Sequence, residues 1–389
     1  MKNTNLLTAK ILLLSVLIFF SCSKDKDTTE NNVDGFDRSA MLTFIADDII
    51  LPSYAGFKIK LDAMTEKSKD FTTNPTSGSL SAFRQAWVEA YTEWQKVELF
   101  DVGPAERHTL RNFFNIYPTT INTTTTINGT NNGIIENIAS GTANLNVPSN
   151  YTAQGFPALD YLLNGIGDDD DEILAEYTTA AGANAKLAYV NKIVDQMNSK
   201  FNQTYNEWNA GYRDQFVSKT SLDIYSSTSL LVNGFVLNYE RYIRSGKFGI
   251  PSGAMSSNPT AYPSDVEAFY KKDLSRTLAI TAHQASVDFF NGKSVKTGVE
   301  GNSIKTYLDA IEAKDLKSGK PLADTLNGQF KAIATAMNGL NPDLETEVRT
   351  NNQAMIAVYS KLQTATRMLK VDMTSAMSIT ITYTDNDGD

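Results

Sequence analysis

Across 389 residues the sequence holds one cysteine and two histidines. A lone cysteine excludes any intramolecular disulfide, so an apolar core must hold the fold unaided. The two histidines, His108 and His283, have no His or Glu partner at zinc-site spacing, and no His-Glu-x-x-His run occurs. A Gly-x-Ser-x-Gly elbow and a phosphate-binding loop are absent too. Positive charge is in deficit: 35 Lys and Arg stand against 44 Asp and Glu, for a net charge of -9. No basic stripe is left to neutralise phosphates, which excludes nucleic acid as a partner. Strand patterning is sparse.

What is present begins with the N-terminus. Lys2 and Lys10 flank a polar start, and Ile11 to Phe20 is an apolar run ending at Ser21-Cys22. That run is well short of the roughly 20 apolar residues that cross a bilayer, so it reads as an export signal. Residues 1–21 are then a lipoprotein signal peptide, with Cys22 the lipidated first residue of the mature chain. Residues 22–35 are polar and charged, as a flexible tether requires. A lipid on Cys22 makes the membrane a partner without any spanning helix, and the outer membrane is the expected location, with either face open.

From Phe36 onward the apolar periodicity is helical. Leu187, Val190, Val194, Met197, Phe201, Tyr205 and Trp208 recur at spacings of three and four. Met355, Val358, Leu362, Ala365 and Leu369 form a second stripe, Val232, Phe235, Tyr239 and Tyr242 a third, and Trp87, Tyr91, Trp94 and Glu98 a fourth. Further helices are expected at about 36–50, 54–70, 262–290, 303–315 and 320–340, with Asn341-Pro342-Asp343 opening the last long one. Thr119 to Pro148 is a long Thr/Asn/Gly-rich loop with one helical turn at Ile134, Ile135 and Ile138. Ser378 to Thr384 alternates Ile and Thr and allows one short strand near the C-terminus. The fold class is all-α: two packed helical bundles, 36–212 and 213–389, with a soft boundary near Ala210 to Lys219.

One segment carries a family likeness. Gly155-Phe156-Pro157-Ala158-Leu159-Asp160-Tyr161-Leu162-Leu163 resembles the signature of the imelysin-like proteins (the M75 peptidase family), whose usual form is Gly-x-His-x-x-Glu. Here Pro157 stands at the His position and Asp160 at the Glu position. Ala86-Trp87 through Trp94, Glu98 and Gly103-Pro104 is similar to that family's Trp-rich helix. Arg111-Asn112-Phe113 with Ile116-Tyr117-Pro118 resembles its aromatic-Pro segment, and Glu240 to Pro251 its second-half hallmark. The C-terminus resembles that of Bacteroidetes-type lipoprotein members.

The resemblance implies two bundles with a cleft between them, and a role as a binding component in iron or haem acquisition beside outer-membrane uptake proteins. Envelope metallopeptidase and non-catalytic protein-interaction module are the alternatives. It also places Glu98, Arg111, Asp160, Arg244 and Lys247 near the cleft. Carboxylates there suit iron or another divalent or trivalent metal, with Asp160 as metal ligand. Arginines suit the carboxylates of a chelate or a haem propionate.

The residues themselves temper this. A His-x-x-Glu pair lies one turn apart on a helix face and can grip one cation, but Pro157 has no donor atom. Proline fits the first turn of a helix, which puts Asp160 close to a helix N-terminus, where a carboxylate is stabilised by roughly 0.3–1 kcal/mol whatever else it does. His108, following Glu106-Arg107, is expected at a solvated or core edge. Trp87, Tyr91 and Trp94 are expected in the core, and Asp168 to Glu172 in a solvated loop before a helix. Asp385 to Asp389 resembles the start of a calcium loop without its bidentate Glu. No residue is assigned a catalytic role.

Overall fold

Pro52 stands between two expected helices, 36–50 and 54–70, yet a single helix, α1, runs Arg38–Thr73. Proline leaves the carbonyl four residues back, that of Asp48, without its usual donor. Two features accommodate this. The turn Ile45–Ile50 widens to π geometry, and the Asp48 carbonyl accepts the Val295 N–H at 2.8 Å from far along the chain. Tyr54, Phe57, Leu61 and Met64 then form one fully buried stripe; Phe57, Leu61 and Met64 stabilise the fold by about 1.5–3 kcal/mol each.

The computed structural model describes residues 34–122, 132–257 and 260–384. The signal peptide, Cys22 and the tether up to residue 33, and Asp385 to Asp389, lie outside the described residues. So do 123–131 of the Thr/Asn/Gly-rich loop. Phe36–Asp389 forms one unit by its contacts.

The stripe of α1 packs against α2 (Ser77–Trp94) and α4 (Ala183–Glu207). α2 opens with a reciprocal cap, in which the Thr76 and Ser79 side chains satisfy each other's backbone N–H. Between α2 and α4 comes the shorter α3 (Gly155–Asn164), and Ile134–Ser140 is the helical turn expected within the loop. Asp169 caps Asp170–Thr178 through its side chain, as the acidic run suggests.

In the second half, α5 (Ser227–Leu237) runs straight into a twelve-residue π-helix, Asn238–Gly249. α6 (Ser275–Asn291), α7 (Ile304–Ala310), α8 (Leu322–Asn338) and α9 (Leu344–Arg367) follow. α8 packs on α6 and α9, α9 packs on the π-helix, and α6 also touches α2, which joins the halves. The seam expected near Ala210 to Lys219 is itself mostly helical: a π turn Trp208–Tyr212 leads into Arg213–Ser218. All these helices share one continuous apolar core. The chain is all-α.

Three further expectations are corrected. The helix placed at 262–290 begins only at Ser275, and 266–274 is an irregular loop with Ala268 and Lys272 at positive φ. The helix placed at 303–315 stops at Ala310, because a tight hairpin closes between Lys314 and Pro321. Ser378 to Thr384 forms no strand ladder. The Asn233 side chain takes a neighbouring strand's place, donating to the Thr380 carbonyl (3.0 Å) and accepting the Thr382 N–H (2.8 Å). Among the described residues the β-pairing consists of two isolated bridges, Lys293 with Glu300 and Lys314 with Pro321.

Candidate functional site

α2 stops at Trp94, and the turns that follow bring Gln95 and Glu98 inward rather than to water. Four elements meet there. Glu98 accepts the Arg111 Nε–H at 2.9 Å and the Asn115 amide at 3.3 Å. The Asn115 amide also reaches Glu267 Oε1 (2.8 Å), while its carbonyl oxygen accepts the Tyr91 hydroxyl (2.7 Å). From the π-helix, Lys247 donates to Gln95 Oε1 at 2.8 Å and to Glu267 Oε2. Gln95 Nε2 closes the ring on Glu267 Oε1 at 3.1 Å.

Two carboxylates and two cations therefore balance inside the protein, with side chains of Glu98, Lys247 and Glu267 almost wholly out of water. Burial pushes the Glu98 carboxyl up against the pull of Arg111 and Lys247. Such a set is stable only when each member is satisfied, because an unpaired buried charge costs several kcal/mol.

Two groups at the edge lack a protein partner among the described residues. Arg111 spends its Nε on Glu98 and stacks its guanidinium 3.5 Å from the Tyr242 ring centre, while its two terminal nitrogens have no hydrogen-bond partner among the described residues. The Tyr117 hydroxyl is buried with no partner among them either. It passes near Gly246, where a Cβ would sit 3.0 Å from it and crowd the hydroxyl.

The signature segment lies beside this network. Gly155 has φ +75°, and a Cβ on it would sit 2.4 Å from the Phe114 carbonyl, which accepts the Phe156 N–H at 2.8 Å. Pro157 occupies the first turn of α3, as expected. Asp160 comes one turn later and binds across to the second half of the chain. Its Oδ2 accepts the Tyr270 N–H (2.9 Å), and its Oδ1 accepts the Lys271 N–H (2.9 Å) and the Asn164 amide (3.1 Å). Burial pushes the Asp160 carboxyl up to about 7, against those donors.

These residues do not fit a metal centre. Pro157 offers no donor, both oxygens of Asp160 already face N–H groups, and Glu98 and Glu267 are neutralised by Arg111 and Lys247. Among the described residues no three His, Cys, Asp or Glu side chains converge on one point.

The remaining sequence-derived candidates disperse. Arg244 lies in a separate buried cluster, where it bonds Ser245 and Gln363 and approaches Glu240 at 3.6 Å. Glu240 there also receives Lys370 (2.9 Å) and the Tyr383 hydroxyl (2.7 Å). His108 pairs with Glu207 at 2.6 Å at the partly exposed edge, beside Arg107. His283 is a core residue between the Tyr239 hydroxyl and the Phe330 carbonyl; burial lowers its pKa to about 4. Trp87, Tyr91 and Trp94 are core: Tyr91 stacks on Phe156 and Trp94 on Phe114, both at 4.4 Å. An open groove of about 470 Å3 does lie between the halves, lined by Ser53, Glu93 and Phe100 from one and by Thr281, Gln284 and Phe289 from the other. None of the candidates lines it.

Glu267, Gln95, Asn115 and Tyr117 are the members that sequence reasoning missed. Only Tyr117 carried a signal, as part of the aromatic-Pro segment.

The family model for imelysin (peptidase M75) matches residues 50–373. The chain belongs to the imelysin family. An imelysin-like protein from Psychrobacter arcticum superposes with a TM-score of 0.64 at 17% identity, covering 89% of this chain and 97% of that one. A protein from Parabacteroides distasonis named as an iron-regulated protein A precursor gives 0.66 at 18% identity, covering 86% and 95%. Iron-regulated protein A of Synechococcus elongatus is 27% identical over 90 residues, 23% of either chain, so the match spans under a quarter of that relative's length. The structural likenesses concern the fold alone. Within this imelysin-family fold, the signature helix α3 is a clamp: Gly155 seats it on Phe114, and Asp160 ties it to the loop that delivers Glu267.

Proposed function

We propose that this imelysin-family chain is a binding protein of the cell envelope, lipid-anchored through Cys22 at the outer membrane. In this reading it takes an anionic iron chelate or haem as cargo and works beside outer-membrane uptake proteins. The observation that carries the reading is Arg111, the one candidate that keeps unpaired donors at the edge of an otherwise self-satisfied network. A guanidinium stacked on Tyr242, with the partnerless Tyr117 hydroxyl near it, matches a carboxylate better than a bare cation. The names of the Synechococcus and Parabacteroides relatives support the link to iron, and the N-terminal pattern supports export.

Hydrolysis is not favoured, since a metallopeptidase needs an open metal with a water to activate, and the donors that would hold it are already engaged. The test is calorimetric titration with ferric citrate and with haem. Arg111→Gln should weaken binding roughly ten- to a hundredfold, the worth of a charge-assisted pair. Equal affinities in wild type and variant would remove the site, and failure of both ligands to bind would favour a protein-interaction module. Chelator-sensitive release of peptides from casein would replace binding by hydrolysis.

A further inference from the structure

Two segments of the second half share a sequence order and a shape. Lys293-Ser294-Val295-Lys296-Thr297-Gly298 and Lys314-Asp315-Leu316-Lys317-Ser318-Gly319 both read Lys, short oxygen-bearing residue, branched apolar residue, Lys, hydroxyl, Gly. Both fold into the same hairpin. The glycine N–H returns to the carbonyl of Ser294 or Asp315 at 2.8 Å, with φ +73° at Gly298 and +68° at Gly319. The side chain of Ser294 or Asp315 accepts the N–H three residues on, at 3.2 and 2.7 Å. What each hairpin holds out is unusual for a soluble surface. Val295, Val299 and Leu316 are 55%, 66% and 71% exposed, and Lys293, Lys296, Lys314, Lys317 and Lys320 surround them.

Both hairpins lie at one end of the bundle. α6 finishes there and α8 starts there, joined by the reciprocal Asn291–Asn327 amide pair at 2.9 Å, and α7 runs between the hairpins. The chain's N-terminal segment meets the same end: Phe36 stacks flat on Tyr307 of α7 at 4.3 Å. Beside the second hairpin opens a cavity of about 540 Å3, lined by Lys317, Lys320 and Arg367 together with Asp315, which pairs with Arg367 at 3.0 Å.

We propose that this end is a membrane-docking surface. Val295, Val299 and Leu316 enter the interface of an anionic bilayer, and Lys296, Lys317 and Lys320 meet its headgroup phosphates. Local charge favours that occupant through Lys314, Lys317 and Lys320, which are exposed and have no carboxylate partner among the described residues, while Lys293 faces Asp288 at 3.4 Å and Lys296 is held loosely by Asp48 at 3.9 Å. The side that meets the bilayer rests on the lipid-anchor reading. In that reading the anchored Cys22 precedes Phe36 by fourteen residues in sequence, and Phe36 is the residue that packs on Tyr307 of α7.

The experiment uses the chain from Ser23 onward, which has neither the cysteine nor the apolar leader and keeps the whole folded unit. Flotation with phosphatidylcholine–phosphatidylglycerol vesicles is compared with phosphatidylcholine alone. The protein should float with the anionic vesicles only. Lys296→Gln, Lys317→Gln and Lys320→Gln together should lower partitioning on the order of a hundredfold. Val295→Asp with Leu316→Asp should abolish it, with far-UV dichroism unchanged because the side chains are exposed. Equal flotation of wild type and variants, or none at all, overturns the proposal. The anchor is read separately, by labelling the full chain with palmitate in cells. Label without vesicle binding rejects the docking surface, whereas vesicle binding without label supports it and rejects the anchor.

Discussion

Asp160→Ala separates a structural carboxylate from a ligand. The side chain accepts three hydrogen bonds, two from backbone N–H groups of a loop more than a hundred residues away. Removing it leaves the Tyr270 and Lys271 N–H groups and the Asn164 amide without an acceptor. An orphaned buried donor costs about 1–3 kcal/mol, and because Tyr270 and Lys271 are only part-buried the lower half of that range applies to each. The expected loss is therefore about 2–4 kcal/mol, and Asp160→Asn, which keeps one acceptor oxygen, should lose about half as much.

The pH dependence has a definite sign. Burial lifts this carboxyl to about 7, from about 3.9 in an unfolded chain. Its contribution is then full below pH 4 and is lost as the pH rises through 7, so the gap between wild type and Asp160→Ala narrows from pH 5 to pH 8. Urea unfolding followed by dichroism at the two pH values measures this. Hydrogen exchange over 266–274 should accelerate in the variant, because the clamp holds the loop that carries Glu267. Unfolding within about 0.5 kcal/mol of wild type together with unchanged exchange would refute the clamp. Lost ferric citrate binding in a fully stable Asp160→Ala would restore the ligand role.

Other outcomes follow from the same geometry. Lys247→Met strands Glu267 and should cost about 3–5 kcal/mol in urea unfolding, only partly regained in Lys247→Met with Glu267→Leu, because the Gln95 and Asn115 amides then lose their acceptor. His283 has its pKa lowered to about 4 by burial, so its stabilising contribution is present above pH 6.5 and lost as the pH falls towards 4. His283→Asn should flatten that part of the stability profile by about 3 kcal/mol. Asn233→Ala frees the segment at Thr380 and Thr382, costing about 1–2 kcal/mol, and should speed proteolytic trimming of the C-terminus.

Most helices could be read from their stripes, because each stripe buries one face and that face is written at spacings of three and four. α4, α8 and α9 begin and end within a few residues of expectation. The failures share a cause. Pro52 signals a break in sequence, but a donor from Val295 offsets what the proline removes, and no local pattern announces that. The run from Pro263 reads as a helix start, yet Asp160 captures the Tyr270 and Lys271 N–H groups, and the loop so pinned delivers Glu267. Glu98 pairs with Arg111, and Lys247 joins the same network through Glu267, away from the groove between the halves. Charge balance among buried groups is a property of the assembled fold, so Gln95 and Asn115 carried no mark along the chain.

The bond between the Asp48 carbonyl and the Val295 amide has a wider consequence. The opening helix of the first half is completed by a turn that the ribosome makes almost 250 residues later. The gap that Pro52 leaves in the helix is closed only once that distant turn has been made. Gene fusions that exchange halves between relatives would therefore inherit a helix whose missing piece belongs to another lineage.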